Sequence, residues 1–164
     1  MPTPSGSRRR PSLAAEADLH EAALRLLTRR EHAAAELAAK LRERGHDADA
    51  IASELQRLAA AGLQSDQRFA ESFVTTRVGR GDGPVRLRAA LRERGVDDAL
   101  IEEALAPHAD EWTERARALA ARRFGSAPPG SWNERAKRAR FLQGRGFPAD
   151  IVRRVTDFDE HDDC

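Results

Sequence analysis

The chain of 164 residues has one cysteine, Cys164, no tyrosine and only 5% aromatic residues. A single cysteine excludes an internal disulfide and a cysteine-built metal site. Valine, isoleucine and threonine together contribute 15 residues, so β-strands would lack the side chains they prefer. No apolar run approaches the roughly 20 residues that a membrane span needs. Arg8, Arg9 and Arg10 are not followed by an apolar stretch, so no secretory signal is expected and a cytoplasmic location is. Lysine occurs twice, at Lys40 and Lys137, and neither follows a glycine; a phosphate-binding G-x-x-x-x-G-K-[ST] loop is therefore absent. Gly79, Gly81 and Gly83 are close together, but no strand pattern precedes them, so a dinucleotide site fails. The five histidines form no i,i+4 pair, and no G-x-S-x-G elbow occurs. An enzyme is not expected, nor a cofactor or a bound metal.

What is present is helical. Alanine, leucine, arginine and glutamate dominate, and all four favour helix. The formal net charge is only +1, but the charge is unevenly placed. Residues 115–154 hold eleven basic side chains against Glu134 and Asp150 alone, a net of +9. Residues 157–164 carry five acidic ones. A basic block suggests a polyanionic or acidic partner, and the acidic tail beside it reads either as a solubilising end or as a shield for the block. Residues 1–12, rich in proline, serine and arginine, read as a disordered basic arm.

An internal repeat organises the rest. LRERGHDADAI at 41–51 and LRERGVDDALI at 91–101 share seven of eleven positions, and a third copy, LQGRGFPADIV, begins at Leu142. Leu-x-x-Arg-Gly thus recurs at intervals of 50 and 51 residues. Each copy reads as helix, glycine stop, helix, with Gly45, Gly95 and Gly146 where a left-handed residue ends a helix. Asp97 suits an N-cap, and Val96 with Ile101 forms a hydrophobic staple. Thr28-x-x-Glu31 and Ser131-x-x-Glu134 read as capping boxes, and Asp82-Gly83-Pro84 opens the corresponding middle helix. A further helix precedes each, over 14–27, 66–79 and 109–124, with apolar residues at helical spacing. The expected fold is all-α, three tandem three-helix repeats forming an elongated array. The expected boundaries are 1–12 for the arm, 13–64, 65–107 and 108–157 for the repeats, and 158–164 for the acidic tail. No heptad seam argues for a dimer, so a monomer is expected.

The candidate site is a set of arginines. On the helix after Gly83, Leu87 and Leu91 face inward, while Arg88 and Arg92 lie four apart on an outward face. Arg86 shares another face with Glu93, and Arg77 and Arg80 approach the same turn from the preceding helix. Arg44, Arg94 and Arg145, although repeated, are read as serving helix ends by meeting carbonyls. In the third repeat Arg135, Lys137, Arg138 and Arg140 fall within six residues. Arg138 stands at the offset occupied by Leu37 and Leu87, which marks a weak core or a covered surface. Phe69, Phe73, Trp112, Phe124, Trp132 and Phe141 are read mainly as core, so nucleic-acid contact would go to phosphates, independent of sequence and sensitive to salt.

The stretch SDQRFAESFVTTR at 65–77, followed by GPVRLRAALRERGV at 83–96, resembles the bacterial RecX family. Its most distinctive part is Gly-x-x-x-Leu-x-x-x-Leu-x-x-Arg-Gly-Val. The resemblance covers about residues 15–157, loosest in the third repeat, where Arg138 and Pro148 depart from it. It implies tandem three-helix repeats and a regulator rather than an enzyme. Such proteins bind the RecA recombinase filament on single-stranded DNA and suppress its ATPase, strand-exchange and coprotease activities. Carried over, Arg77, Arg80, Arg86, Arg88 and Arg92 are the first candidate contacts, and Arg135, Lys137, Arg138 and Arg140 the second. Two other readings compete. Residues 22–61 have the short helices of a helix-turn-helix DNA-binding regulator, which would prefer a specific duplex. A helical protein-binding adaptor would use its arginines on acidic side chains and bind no DNA.

Overall fold

A computed structural model describes residues 11–157. The expected basic arm lies outside the described residues except for Pro11 and Ser12, and the acidic tail with Cys164 lies outside them altogether. Among the described residues there are nine α-helices and no strand. The chain divides into two compact units, one ending at Ser65 and one beginning at Asp66.

The first unit is one three-helix repeat: α1 (Leu13–Leu27), α2 (Ala34–Glu43) and α3 (Ala48–Ala60). Ser12 caps α1, its hydroxyl accepting from the Ala15 amide at 3.2 Å, so it belongs to the helix rather than to the arm. Leu19, Ala23, Leu26, Leu37, Leu41, Ile51 and Leu58 close a single core from all three helices. Asp47 caps α3 by accepting from Ala50 at 3.0 Å. The expected capping box at Thr28 and Glu31 is not formed. Thr28 ends α1 instead, its hydroxyl donating to the Arg25 carbonyl at 3.0 Å, and α2 begins six residues later, at Ala34, with no side-chain cap.

Side chains of the α1–α2 loop itself, of α2 and of the segment after α3 hold it. Arg30 grips Glu36 of α2 with two bonds, of 2.5 and 3.2 Å. His32 is buried; its Nδ1 donates to the Arg30 carbonyl at 3.0 Å, which leaves Nε2 to accept from Lys40 Nζ at 3.3 Å. Gln64, beyond α3, donates to the His32 carbonyl at 3.2 Å. Burial pulls the His32 pKa down, with the neighbouring Arg30 and Lys40 charges adding to it against the Arg30 carbonyl and Glu36. Burial alone would raise Glu36; its bond to Arg30 and the positive charges of Arg30, His32 and Lys40 together hold it low.

The second unit carries two repeats. The first comprises α4 (Asp66–Gly79), α5 (Pro84–Glu93) and α6 (Asp98–Leu105). The second comprises α7 (Trp112–Phe124), α8 (Trp132–Gly144) and α9 (Ala149–Thr156). A 3-10 turn over Ala106–His108, containing Pro107, delays α7 to Trp112, three residues later than the spacing predicts. Pro84 sits at the start of α5 and Asp97 caps α6, accepting from Ala99 at 2.9 Å. Val96 and Ile101 are both buried, as a staple requires. Gly45, Gly95 and Gly146 follow α2, α5 and α8 with φ of 88°, 75° and 90°, conformations that only glycine adopts without penalty.

Gly146 does more than end a helix. The α8–α9 turn lies directly on the start of α5. The Gly83 amide donates to the Arg145 carbonyl at 2.7 Å and the Val85 amide to the Gly146 carbonyl at 2.9 Å. These are amides of a helix N-terminus, which no intrahelical carbonyl can satisfy. A Cβ on Gly146 would stand 2.3 Å from Arg86 Cβ, and one on Gly83 would stand 2.5 Å from the Gly146 carbonyl carbon. By contrast, a Cβ on Gly45 would meet nothing within 4 Å. Trp112 and Phe147 pack edge to face at 6.4 Å beside this seat.

Candidate nucleic-acid and filament interface

The sequence-predicted arginines of the second repeat fall into two groups. Arg77 and Arg86 converge on Asp82, which is only 5% exposed, at 3.2 and 3.5 Å. A carboxylate so buried needs both charges, so the pair is oriented from beneath by a residue outside the predicted site. The i,i+4 spacing of Asp82 and Arg86 is the sequence signal for half of that arrangement. Arg80 is exposed just past α4, and its carbonyl accepts from Arg145 Nη1 at 3.2 Å.

Arg88 and Arg92 do lie on the outward side of α5, but they are paired with α6. Arg88 binds Glu102 through two bonds, of 2.6 and 2.9 Å, and Arg92 binds Asp98 at 2.7 Å. Periodicity within α5 alone shows no internal partner for either, because both carboxylates come from α6. The Arg88 bond raises the Arg88 pKa and holds Glu102 below the usual carboxylate range. Such exposed pairs are worth about 0–1 kcal/mol, so a phosphate or another carboxylate can replace the partner at small cost.

In the third repeat the four basic residues point different ways, as their spacing requires. Arg135 reaches Asp157 at 3.9 Å. Arg138 lies over the Phe124 ring at 5.6 Å and donates to the Ala127 carbonyl at 2.8 Å. The offset where the other repeats place a leucine is thus filled by an arginine whose charge is turned onto the α7–α8 loop. Lys137 and Arg140 are exposed on the outer side of α8.

One expectation about aromatics is corrected, that for Trp132. Several of the others carry arginines: Arg77 and Arg94 lie over Phe73 at 5.1 and 4.9 Å, Arg123 over Phe124 at 5.4 Å, and Arg145 over Phe141 at 5.6 Å. These half-buried rings use the guanidinium face that a thin, alanine-rich core leaves available. Trp132 is not core but 77% exposed, at the first position of α8. The helix-end reading of the repeated arginines holds for Arg94, which donates to the Ala90 carbonyl at 2.8 Å. Arg145 meets a carbonyl too, but beyond its own helix, at Arg80.

No helix among the described residues is long and apolar enough to cross a membrane, and no group of three or more metal-ligating side chains stands together there. Comparison with known families and structures adds to this geometry. The model for the second three-helix domain of RecX matches residues 65–105, that for the third matches 109–156 and that for the first matches 20–58. The regulatory protein RecX of Halorhodospira halophila is 48% identical over 150 residues, covering 92% of this chain and 93% of that one. The regulatory protein RecX of Stenotrophomonas maltophilia is 42% identical over 159 residues, covering 97% and 96%. The crystal structure of RecX from Lactobacillus salivarius superposes with a TM-score of 0.76 at 27% identity, covering 88% of this chain and 96% of that one.

Proposed function

Because the chain belongs to the RecX family, we propose that it is a cytoplasmic, non-catalytic regulator of the RecA recombinase. On this reading it binds the RecA filament on single-stranded DNA and lowers its ATPase, strand-exchange and coprotease activities. The observation that supports it is the placement of basic side chains. Lys137 and Arg140 stand exposed on α8 and Arg80 in the turn after α4, where they can neutralise phosphates without reading bases. Arg88 and Arg92, already bound to carboxylates, suit acidic side chains on the recombinase better than bare phosphate. Arg77 and Arg86, held by Asp82, serve either.

The test is the single-stranded-DNA-dependent ATPase of the cognate RecA, with the full chain added below stoichiometric amounts. Inhibition, with no ATPase in the chain alone, supports the reading. Exchange of Arg88 and Arg92 for glutamine is expected to weaken inhibition while leaving DNA affinity nearly intact. Exchange of Lys137 and Arg140 is expected to lower DNA affinity and flatten its salt dependence. No inhibition at any ratio would leave a helical adaptor, and strong preference for one duplex would favour a helix-turn-helix regulator.

A further inference from the structure

The exposed indole of Trp132 is the largest departure in this molecule from what burial favours. A tryptophan in a core removes about 150–250 Å² from water, and this one is left 77% exposed. Its exposure is held in place on both sides. Ser131 caps α8 by accepting from the Glu134 amide at 3.2 Å. Glu134 Oε2 in turn accepts from the Gly130 amide at 2.7 Å. Arg138 pins the same loop at the Ala127 carbonyl at 2.8 Å. The residues on either side are therefore fixed, and the ring stands on a rigid base.

The charge around it is mainly basic: Arg135, one turn along, is paired with Asp157, while Lys137 and Arg140 have no ion partner among the described residues. At about 100° per residue, Trp132, Gln143, Arg140, Asn133 and Lys137 share the outer half of α8. Arg140 lies two turns along from the indole, about 12 Å. Glu134 is the one acidic residue of α8, and its carboxylate is occupied with Gly130. A flat aromatic face on the same helix as cations that have no ion partner among the described residues is the chemistry that holds single-stranded nucleotides: the base stacks and the cations meet flanking phosphates. An apolar pocket on a protein would take the indole as well, but it would have no use for cations without carboxylates opposite.

We propose that Trp132 is a stacking platform for a base of single-stranded DNA, with Lys137 and Arg140 binding the adjoining phosphates. The assignment rests on the single-stranded-DNA reading above and names a contact for it. Trp112 and Trp132 are the two tryptophans of the chain, one buried and one exposed, so the two indoles can be told apart by emission.

The experiment titrates the full chain with a labelled oligothymidylate at low salt, following probe anisotropy and tryptophan emission together. Anisotropy is expected to rise while the long-wavelength emission of Trp132 is quenched, and the quenching is expected to vanish in Trp132→Phe when the residual Trp112 signal is followed. Trp132→Ala is expected to weaken binding roughly 5- to 150-fold, the span of base–aromatic stacking by alanine substitution, with unchanged far-ultraviolet circular dichroism. Binding with unaltered emission and an alanine variant within twofold of the parent would overturn the stacking assignment while the DNA reading stood. Absence of binding by the parent chain would remove the DNA reading and the platform with it. Normal DNA binding but lost RecA inhibition in Trp132→Ala would place the indole against the recombinase and overturn the proposal.

Discussion

Gly45 and Gly146 have nearly the same backbone angle, φ of 88° and 90°, yet their replacement by alanine is expected to differ severalfold. At Gly45 an added Cβ meets nothing within 4 Å. The cost is then the left-handed penalty of about 1–2 kcal/mol, eased slightly by the lower entropy of the unfolded chain. At Gly146 the same penalty applies, and the new carbon also lies 2.3 Å from Arg86 Cβ and 2.6 Å from the Arg86 amide nitrogen. That contact cannot be relieved by rotating a side chain, because one of its atoms is backbone. The turn must lift from α5, stretching the bonds from Gly83 and Val85 that now measure 2.7 and 2.9 Å. Two helix-start donors weakened at roughly 1 kcal/mol each bring the total to about 3–4 kcal/mol. Gly83→Ala isolates the close approach: its φ is −88°, which any residue adopts, so its cost of about 2 kcal/mol is the lifted turn alone. Thermal unfolding separates the cases, since both tryptophans lie in the second unit and fluorescence follows that unit alone. With about 4–8 °C per kcal/mol for a domain of this size, Gly146→Ala is expected to lower its midpoint by more than 12 °C. Gly45→Ala is read by circular dichroism and should move the first unit by roughly 5–10 °C. If Gly146→Ala costs no more than Gly45→Ala, or if Gly83→Ala is neutral, the turn is not seated on α5 as described and the reasoning fails.

Three further outcomes are expected. His32, buried and with its pKa held down by burial, takes up a proton more readily in the unfolded chain; the first unit should lose stability as pH falls below the ordinary histidine value of about 6.5 and into the depressed range, and urea midpoints at pH 7.5 and 5.5 should show a slope that His32→Gln abolishes. Glu54, whose side chain is 2% exposed, is bonded to the half-exposed His20 at 2.5 Å with Arg57 at 3.7 Å; His20→Ala strands the buried carboxylate and should cost about 1–3 kcal/mol, whereas Glu54→Leu removes it and should be near neutral, as urea unfolding would show. Arg138→Ala loses a charged hydrogen bond to Ala127 and the face of Phe124 and should cost about 1–2 kcal/mol in the same assay.

The features legible in the sequence are those that depend on near neighbours in the chain. Leu-x-x-Arg-Gly announces a helix and its left-handed stop, and Asp97 and Ser131 announce helix starts, because each involves residues within four positions. Thr28 misled because the same hydroxyl that caps a helix start can close a helix end, and the loop to α2 is held instead by Gln64 from 32 residues away. The pairing of Arg88 with Glu102 needs α5 and α6 to be side by side, which periodicity within α5 does not reveal. Apolar character alone puts both tryptophans in the core, yet each opens a helix and only Trp112 is buried while Trp132 is exposed, a difference set by what packs on the helix start. The motif at Gly146 is the same as at Gly45, and nothing in it distinguishes a glycine needed for its angle from one needed for its missing side chain.

A chain assembled from copies would be thought extendable by adding another. The seat between Gly83 and the turn at Gly146 says otherwise for the second and third repeats. Every copy offers the same helix stop, and within the second unit this pair matches a bare backbone on one member with a bare backbone on the other. An inserted repeat would need glycine at both faces of each new junction, and a deletion after residue 107 would leave the first amides of α5 with no carbonyl to meet. The second and third repeats share a sequence pattern but are not interchangeable parts, and swapping them should fail at this junction before it fails in any core.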